Sequence, residues 1–231
     1  MNEFIYKRKS IRKYDQTPLG ADILDEVRAL IGKVKPLYPG ISYSIEIVRK
    51  TKGPFNIKAP HYLVFGSEDG DGSLENIGFI GQQLDLWLSE FGLGTCWLGA
   101  AKPTEKEASV LPSVICMSFG KPAEPLHRER SDFKRKPLSA ISEGSDKRLE
   151  AARIAPSATN AQNWYFIAEN GKIHCYRRKS SSPLGFMFNK MHCVDMGIAV
   201  CHVAEESEAF RFIKEADVPI RKGHVYSGTV I

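Results

Sequence analysis

Arg8, Ser10 and Arg12 alternate in the stretch RKSIRKYD. In extended backbone these three side chains leave one face, while Lys9, Ile11 and Lys13 leave the other. Two guanidinium groups with a hydroxyl between them suit phosphate oxygens, because arginine's planar fork matches that geometry. A second cationic run, Lys134, Arg135 and Lys136, offers another anion grip. Either run alone also reads as a solvated surface segment. APSATNAQNW, residues 155–164, brings Pro156, Ser157, Thr159, Asn160, Gln162 and Asn163 together just before Trp164. Such residues turn the chain and hydrogen-bond, which is the character of a loop that holds a ligand. In FGLGTCWLG, residues 91–99, Gly92, Gly94 and Gly99 let backbone approach a planar ligand closely. The same glycines also suit a helix C-cap followed by a buried strand. The run matches no P-loop or dinucleotide fingerprint, because its Gly-Leu-Gly follows a helix pattern. Cys96 has no adjoining histidine or base and reads as a small buried hydrophobe. His192 and Asp195 are three apart on one expected helix, too little for a metal centre, and none is expected. Asp195 is expected as a helix-internal hydrogen-bonding or ion-paired residue.

The chain that must position these groups has 231 residues, 42% hydrophobic and 26% charged, with net charge +5. This suits one large domain or two small ones. The positive excess sits in the two short clusters, and no nucleic-acid motif accompanies them, so no nucleic-acid partner is expected. No apolar run approaches a membrane span, and the N-terminus carries no signal-peptide pattern. Five scattered cysteines without a C-x-x-C point to a reducing compartment, and the chain is expected in the cytoplasm.

The periodicity predicts helices at 21–34, 74–91, a short one at 104–109, one from about 146 to 155, and one at 191–207. Strands are expected at 43–48, 61–66, 114–120, 164–168, 172–177 and 209–214. Ser73 is placed to cap the second helix. Asn170-Gly171 is a hairpin signal between two strand runs. Residues 178–188 read as loop, and the last dozen residues as an extended arm. The layout repeats: a basic segment, an amphipathic helix, a strand pair and a long buried helix, with Gly81 and Gly197 in similar places. The expected division is 1–125 and 126–231, two degenerate halves of one compact unit.

Together the motifs resemble those of the FMN-dependent nitroreductase family. The resemblance rests on RKSIRKYD, APSATNAQNW, GLGTCWLG and LPSVICMSFGKPAE followed by RKPL, and it covers most of residues 4–205. It is closest to a branch in which one chain carries two nitroreductase-like halves, since the Pro-Ser loop comes here after the first half is complete. The resemblance implies an α+β fold, a mixed, mainly antiparallel sheet wrapped by helices, arranged as a pseudo-dimer within a monomer. It implies FMN, with its phosphate gripped by Arg8, Lys9, Ser10 and Arg135. Arg12 would approach the ribityl or pyrimidine end and stabilise charge near N1 and O2. Leu98 and Gly99, or their neighbours, would line the flavin near N5, and Pro156, Ser157, Ala158 and Asn160 would cross over from the second half. The implied activity is transfer of electrons from NADH or NADPH through the flavin to a nitroaromatic, a quinone or a similar small acceptor, in ping-pong fashion. The alternative is a flavin-binding protein without robust turnover. Two departures stand out: Gln162-Asn163-Trp164 replaces Gln-Pro-Trp, and the second basic segment has Pro137 where a serine is expected. With no second Gly-Leu-Gly either, only one complete set of flavin motifs is present.

Overall fold

The computed structural model describes residues 2–104, 110–180 and 185–231. In chain order its elements begin with α1 (Ala21–Ile31), β1 (Tyr43–Val48), β2 (Thr51–Lys52), β3 (His61–Ser67), α2 (Ser73–Glu90), β4 (Gly94–Leu98), β5 (Lys102–Pro103) and β6 (Ser113–Gly120). They continue with α3 (Leu138–Ile141), β7 (Ser142–Gly144), α4 (Leu149–Ile154), β8 (Trp164–Glu169), β9 (Lys172–Arg178), α5 (Gly185–Glu205), β10 (Phe212–Ile213) and β11 (His224–Val230). One sheet runs β1-β3-β6-β4, all antiparallel. A second runs β10-β11-β9-β8-β7, antiparallel except where β7 joins β8, and β2 and β5 pair separately as a short antiparallel ladder. This is the expected mixed, mainly antiparallel α+β architecture.

The two sheets repeat one strand order. β1, β3, β6 and β4 correspond to β8, β9, β11 and β10, and α2 corresponds to α5. The helices cross where neither has a side chain. A Cβ on Gly78 would run into the Val194 carbonyl, and one on Gly197 into the Glu75 carbonyl. Each glycine thus meets the residue three before its counterpart, which is a two-fold relation written in contacts. The expected pairing of Gly81 with Gly197 is corrected here: Gly81 makes room for the rings of Trp97 and Phe65. Ile77, Ile80, Leu84 and Leu88 of α2 and Ala199, Val200 and Cys201 of α5 share one core, each at most 0% exposed. Burying one large apolar side chain there stabilises by roughly 1.5–3 kcal/mol.

Boundaries shift for local reasons. α1 ends at Ile31 because Gly32 caps it, short of the expected 34. Ser73 is the first residue of α2 and does not cap it; Gly72, at φ 84°, makes the turn into the helix. Asn170 and Gly171, at φ 51° and 75°, close the expected β8–β9 hairpin. α5 starts at Gly185, inside the stretch expected as loop. The strand expected at 209–214 narrows to Phe212–Ile213. The C-terminal segment is not a free arm: β11 lies between β10 and β9, and a bulge at Gly228 disguises its alternation. The short helix expected at 104–109 lies, from residue 105 on, outside the described residues. No helix among the described residues is long and apolar enough to cross a membrane.

Candidate functional site

The N-terminal segment is laid against the first sheet. Arg8 bridges His127, Ser10 bridges Thr95, and the Ile11 N–H donates to the Thr95 carbonyl at 2.8 Å. Ile11 is fully buried beside Gly94, whose missing side chain makes the approach possible. This fixes the direction of Arg8, which is only 1% exposed. Its Nε lies 2.7 Å from Asp85 Oδ2 on α2, and its Nη2 donates to Ser10 Oγ at 3.3 Å. Asp85 also accepts from Thr95 Oγ1 and, at 2.7 Å, from Gln82 Nε2. Gln82 in turn meets Nε2 of His202 on α5, whose Nδ1 donates to the Ala151 carbonyl. Burial, and next the Arg8 charge, push the His202 pKa down to about 3, so the ring is neutral. An uncompensated guanidinium at this depth would cost several kcal/mol, and Asp85 supplies the compensation.

Above this pair lies an open cleft of about 690 Å³. Lys9, Arg12, Arg128, Lys134 and Arg135 ring it, with Arg8 in its floor. Burial and the neighbouring Arg8 lower the Arg128 pKa to about 10. Burial, then Arg128 and Arg8, do the same to Arg135. Both remain charged at neutral pH, and their mutual repulsion favours an anion between them. Two carboxylates also line the cleft, and both are engaged. Glu124 accepts the Arg12 and Lys13 N–H groups at 2.7 and 3.1 Å, and Asp132 accepts the Glu129 N–H at 3.0 Å.

The loop after α4 forms the opposite wall. Helix α4 stops at Ile154 because the residue before a proline avoids helical backbone. Thr159, Asn160 and Gln162 then adopt left-handed backbone, at φ 52°, 57° and 49°. Such conformations cost roughly 1–3 kcal/mol each outside glycine, and side-chain hydrogen bonds hold them. Asn160 Oδ1 accepts from Arg135 Nη1 at 2.7 Å, and Asn160 Nδ2 donates to the Lys134 carbonyl at 2.8 Å. Gln162 Oε1 accepts the Lys136 N–H at 2.8 Å, and Lys136 Nζ donates to the Ala161 carbonyl at 2.7 Å. From below, the Ala158 N–H donates to Asp195 Oδ1 at 2.9 Å. The second basic run therefore clamps the loop, and α5 supports it.

Next to the cleft, and sharing Ser10, Arg12, Pro156, Ser157 and Thr159 with it, is a narrower slot of about 130 Å³. Trp97, Ile115, Met191, Val194 and Ile198 make it apolar, and Gly99 leaves its rim open. Asp195 lines this slot while 4% exposed, and its Oδ2 has no hydrogen-bond partner. Burial raises the Asp195 pKa to about 7, against the opposing pull of the Ala158 N–H.

Arg8, Lys9, Ser10, Arg12, Arg135, Pro156, Ser157 and Asn160 thus meet at one cleft, although Arg12 and Arg135, the nearest members of the two groups, are 123 positions apart in the chain. Gly99 and Ala158 line the slot. Leu98 does not. It falls between Trp97 and Gly99 on a strand, so its side chain turns to the other face, into a cluster with Ile11, Tyr14 and Tyr62. Arg8 and Arg135 reach the cleft but are largely committed, to Asp85 and Ser10 in one case and to the Ile154 and Ala155 carbonyls and Asn160 in the other. His192 turns away from Asp195, donating from Nδ1 to the Arg178 carbonyl and accepting from Asn163. Asp195 serves the loop rather than an ion pair. Arg128 and Met191 carry site positions that the sequence reading passed over. Arg128 lies in the cationic stretch 127–136, where its neighbours masked it, and nothing in the sequence marks Met191 out.

The fold is mainly antiparallel α+β, and in it a cationic cleft opens onto an apolar slot. The chain belongs to the nitroreductase family described as "Putative TM nitroreductase", which matches residues 1–207. Among curated proteins none matches it. A solved structure, the "putative nitroreductase" of Thermotoga maritima, is 23% identical with a TM-score of 0.67, over 100% of this chain and 92% of that one, which shows a shared fold. The "FMN-dependent Nitroreductase" of Clostridium difficile R20291 is 20% identical with a TM-score of 0.46, over 58% of this chain and 95% of that one.

Proposed function

We propose that this chain is an FMN-dependent oxidoreductase that draws electrons from NADH or NADPH and passes them to a nitroaromatic, a quinone or a similar small acceptor. The observation that carries the reading is the joining of the cationic cleft to the apolar slot, with Arg8–Arg12 and Pro156–Asn160 as facing walls. The donor set fits FMN. Guanidinium and ammonium groups and the Ser10 hydroxyl suit a phosphate, the combined space falls in the range of cofactor sites, and Trp97, Met191 and Ile198 suit an aromatic ring. When bound, the flavin supplies the redox chemistry, accepting two electrons from a nicotinamide and yielding them to the acceptor.

The chain's own residues bind, orient and shield. Arg128, Lys134 and Lys9 hold the phosphate, and Arg8 with Ser10 forms the floor beneath it. Arg135 acts one step back, fixing Asn160 and with it the loop wall. Arg12 places a cation beside both the cleft and the slot, where it favours negative charge gathering on the ring. Pro156, Ser157 and Ala158 cover the slot and limit water. We read the molecule as two halves, 1–125 and 126–231, that build one composite site.

The test is reconstitution. Purified protein should bind FMN stoichiometrically, and the yellow complex should bleach when NADH or NADPH is added without oxygen. Failure to bind FMN overturns the reading. Binding with no bleaching by either nicotinamide leaves a flavin-binding protein in place of an oxidoreductase.

A further inference from the structure

Asp195 and Asn76 occupy matching positions on α5 and α2, each two residues before the crossing glycine of its helix, Gly197 and Gly78. Each accepts one backbone N–H from the loop that leads into its half's first long strand. Asn76 Oδ1 takes Tyr38 N–H at 3.0 Å, and Asp195 Oδ1 takes Ala158 N–H at 2.9 Å. An amide therefore suffices for the holding task. Only the position beside the slot carries a carboxyl group, and its second oxygen, buried and without a partner, belongs to a residue of the slot wall.

We propose that Asp195 is a proton-exchanging contact to the ring held in the slot: its carboxyl takes up a proton as the flavin binds and donates that O–H to an acceptor atom of the ring. The inference rests on the flavin reading above. One proton moves from solvent to the carboxylate, and no bond in the ligand forms or breaks. The direction follows from the surroundings. Val194, Ile198, Ile115 and Met191 are apolar, and a ring seated among them removes the remaining water, which disfavours the charged carboxylate further. Among the described residues no cation is paired with it. Arg12, on the N-terminal segment, is exposed at the slot's outer side. Cys96, on β4, is a thiol whose pKa burial raises. His192, on the same helix, is turned to Arg178 and Asn163, and Glu75 on α2 faces Arg177 at 3.7 Å. Without a ligand the carboxyl already titrates near neutrality because of its burial. Protonation coupled to binding then weakens binding as pH rises above that value, by up to about tenfold per pH unit.

The experiment is calorimetric titration of the full chain with FMN at pH 8, in two buffers of different ionisation enthalpy. At this pH the ligand's phosphate is already a dianion, its second pKa being about 6, and contributes little proton exchange. Wild type should take up close to one proton per FMN bound, and its affinity should fall steeply between pH 7 and 9. Asp195→Asn keeps an acceptor for the Ala158 N–H, as Asn76 does for Tyr38. It should bind FMN without that uptake and with a flat pH profile. FMN binding to wild type with no proton uptake at pH 8 overturns the proposal by itself, even where the variant does not fold. Equal uptake in Asp195→Asn also overturns it. No FMN binding to wild type at any pH instead sinks the flavin reading on which the proposal stands.

Discussion

The region beside Asp195 on α5 has a counterpart beside Asn76 on α2, and the two places have opposite fates. Beside Asp195 the space between loop, helix and sheet is open, apolar and bordered by cations. Beside Asn76 the corresponding space is filled. Tyr38 packs edge-on against Phe212 of β10, with ring centroids 5.9 Å apart, and its hydroxyl donates to the Ser227 carbonyl at 3.4 Å. Phe79 of α2 stacks on Phe210 at 5.6 Å. Where the first half offers Gly99 just past the end of β4, the second offers Phe210 and Phe212. The Arg-Lys-Ser-Ile-Arg segment occurs once, on one side of the axis. The same backbone plan thus becomes an open cleft or a piece of core according to side-chain volume and charge at a few positions.

The Arg8–Asp85 pair offers the strongest lever on this asymmetry. Arg8→Ala leaves a buried carboxylate without its cation and should destabilise the fold by about 3–5 kcal/mol, read by denaturant unfolding at neutral pH. Adding Asp85→Asn should recover part of that loss; no recovery would show that Arg8 acts through packing. Next comes the converse of the natural difference. Asn76→Asp places a carboxyl in the filled side, where burial should raise its pKa as it raises that of Asp195 to about 7. Such a group is neutral in both states below its unfolded pKa, so stability there is unchanged. Stability then falls as pH rises through the window between about 4 and 7, by up to roughly 4 kcal/mol at pH 8. Equal unfolding midpoints at pH 4.5 and 8 would show that the two environments differ. Smaller and symmetric effects are expected at the seam. Gly78→Ala and Gly197→Ala should each destabilise by about 1–3 kcal/mol through overpacking, and a large difference between the two melting temperatures would break the two-fold relation. The smallest effect is on the ligand alone. Arg128→Ala should weaken FMN binding by about ten- to a hundredfold, from the loss of a charged hydrogen bond, while Phe212→Ala should leave FMN affinity unchanged. Loss of affinity in the second variant would place the filled side within the site.

Much of the cleft was legible because its parts are local. RKSIRKYD shows its alternation in eight residues, and the Pro156–Asn163 stretch shows its loop chemistry in as many. The β8–β9 hairpin was legible for the same reason, from Asn170-Gly171. What escaped depends on partners distant in sequence. Nothing in RKSIRKYD says that Arg8 is neutralised by Asp85, and nothing in α2 says that Gly78, rather than Gly81, marks the crossing. β11 escaped because Pro219, Gly223 and Gly228 resemble loop punctuation, although the pairing with β9 needs only a bulge. Leu98 packs away from the slot because a family motif names a neighbourhood, whereas strand alternation decides which of its side chains face in.

The two walls of the cleft are stretches of a single polypeptide, and that sets how the site responds to dilution. Where facing walls come from separate molecules, the site obeys mass action and vanishes as the partners come apart. Here Pro156–Asn160 meets Arg8–Arg12 at a local concentration fixed by the fold, whatever the number of molecules in solution. Affinity for the ligand should therefore stay constant down to the lowest protein concentrations, and only unfolding can separate the walls.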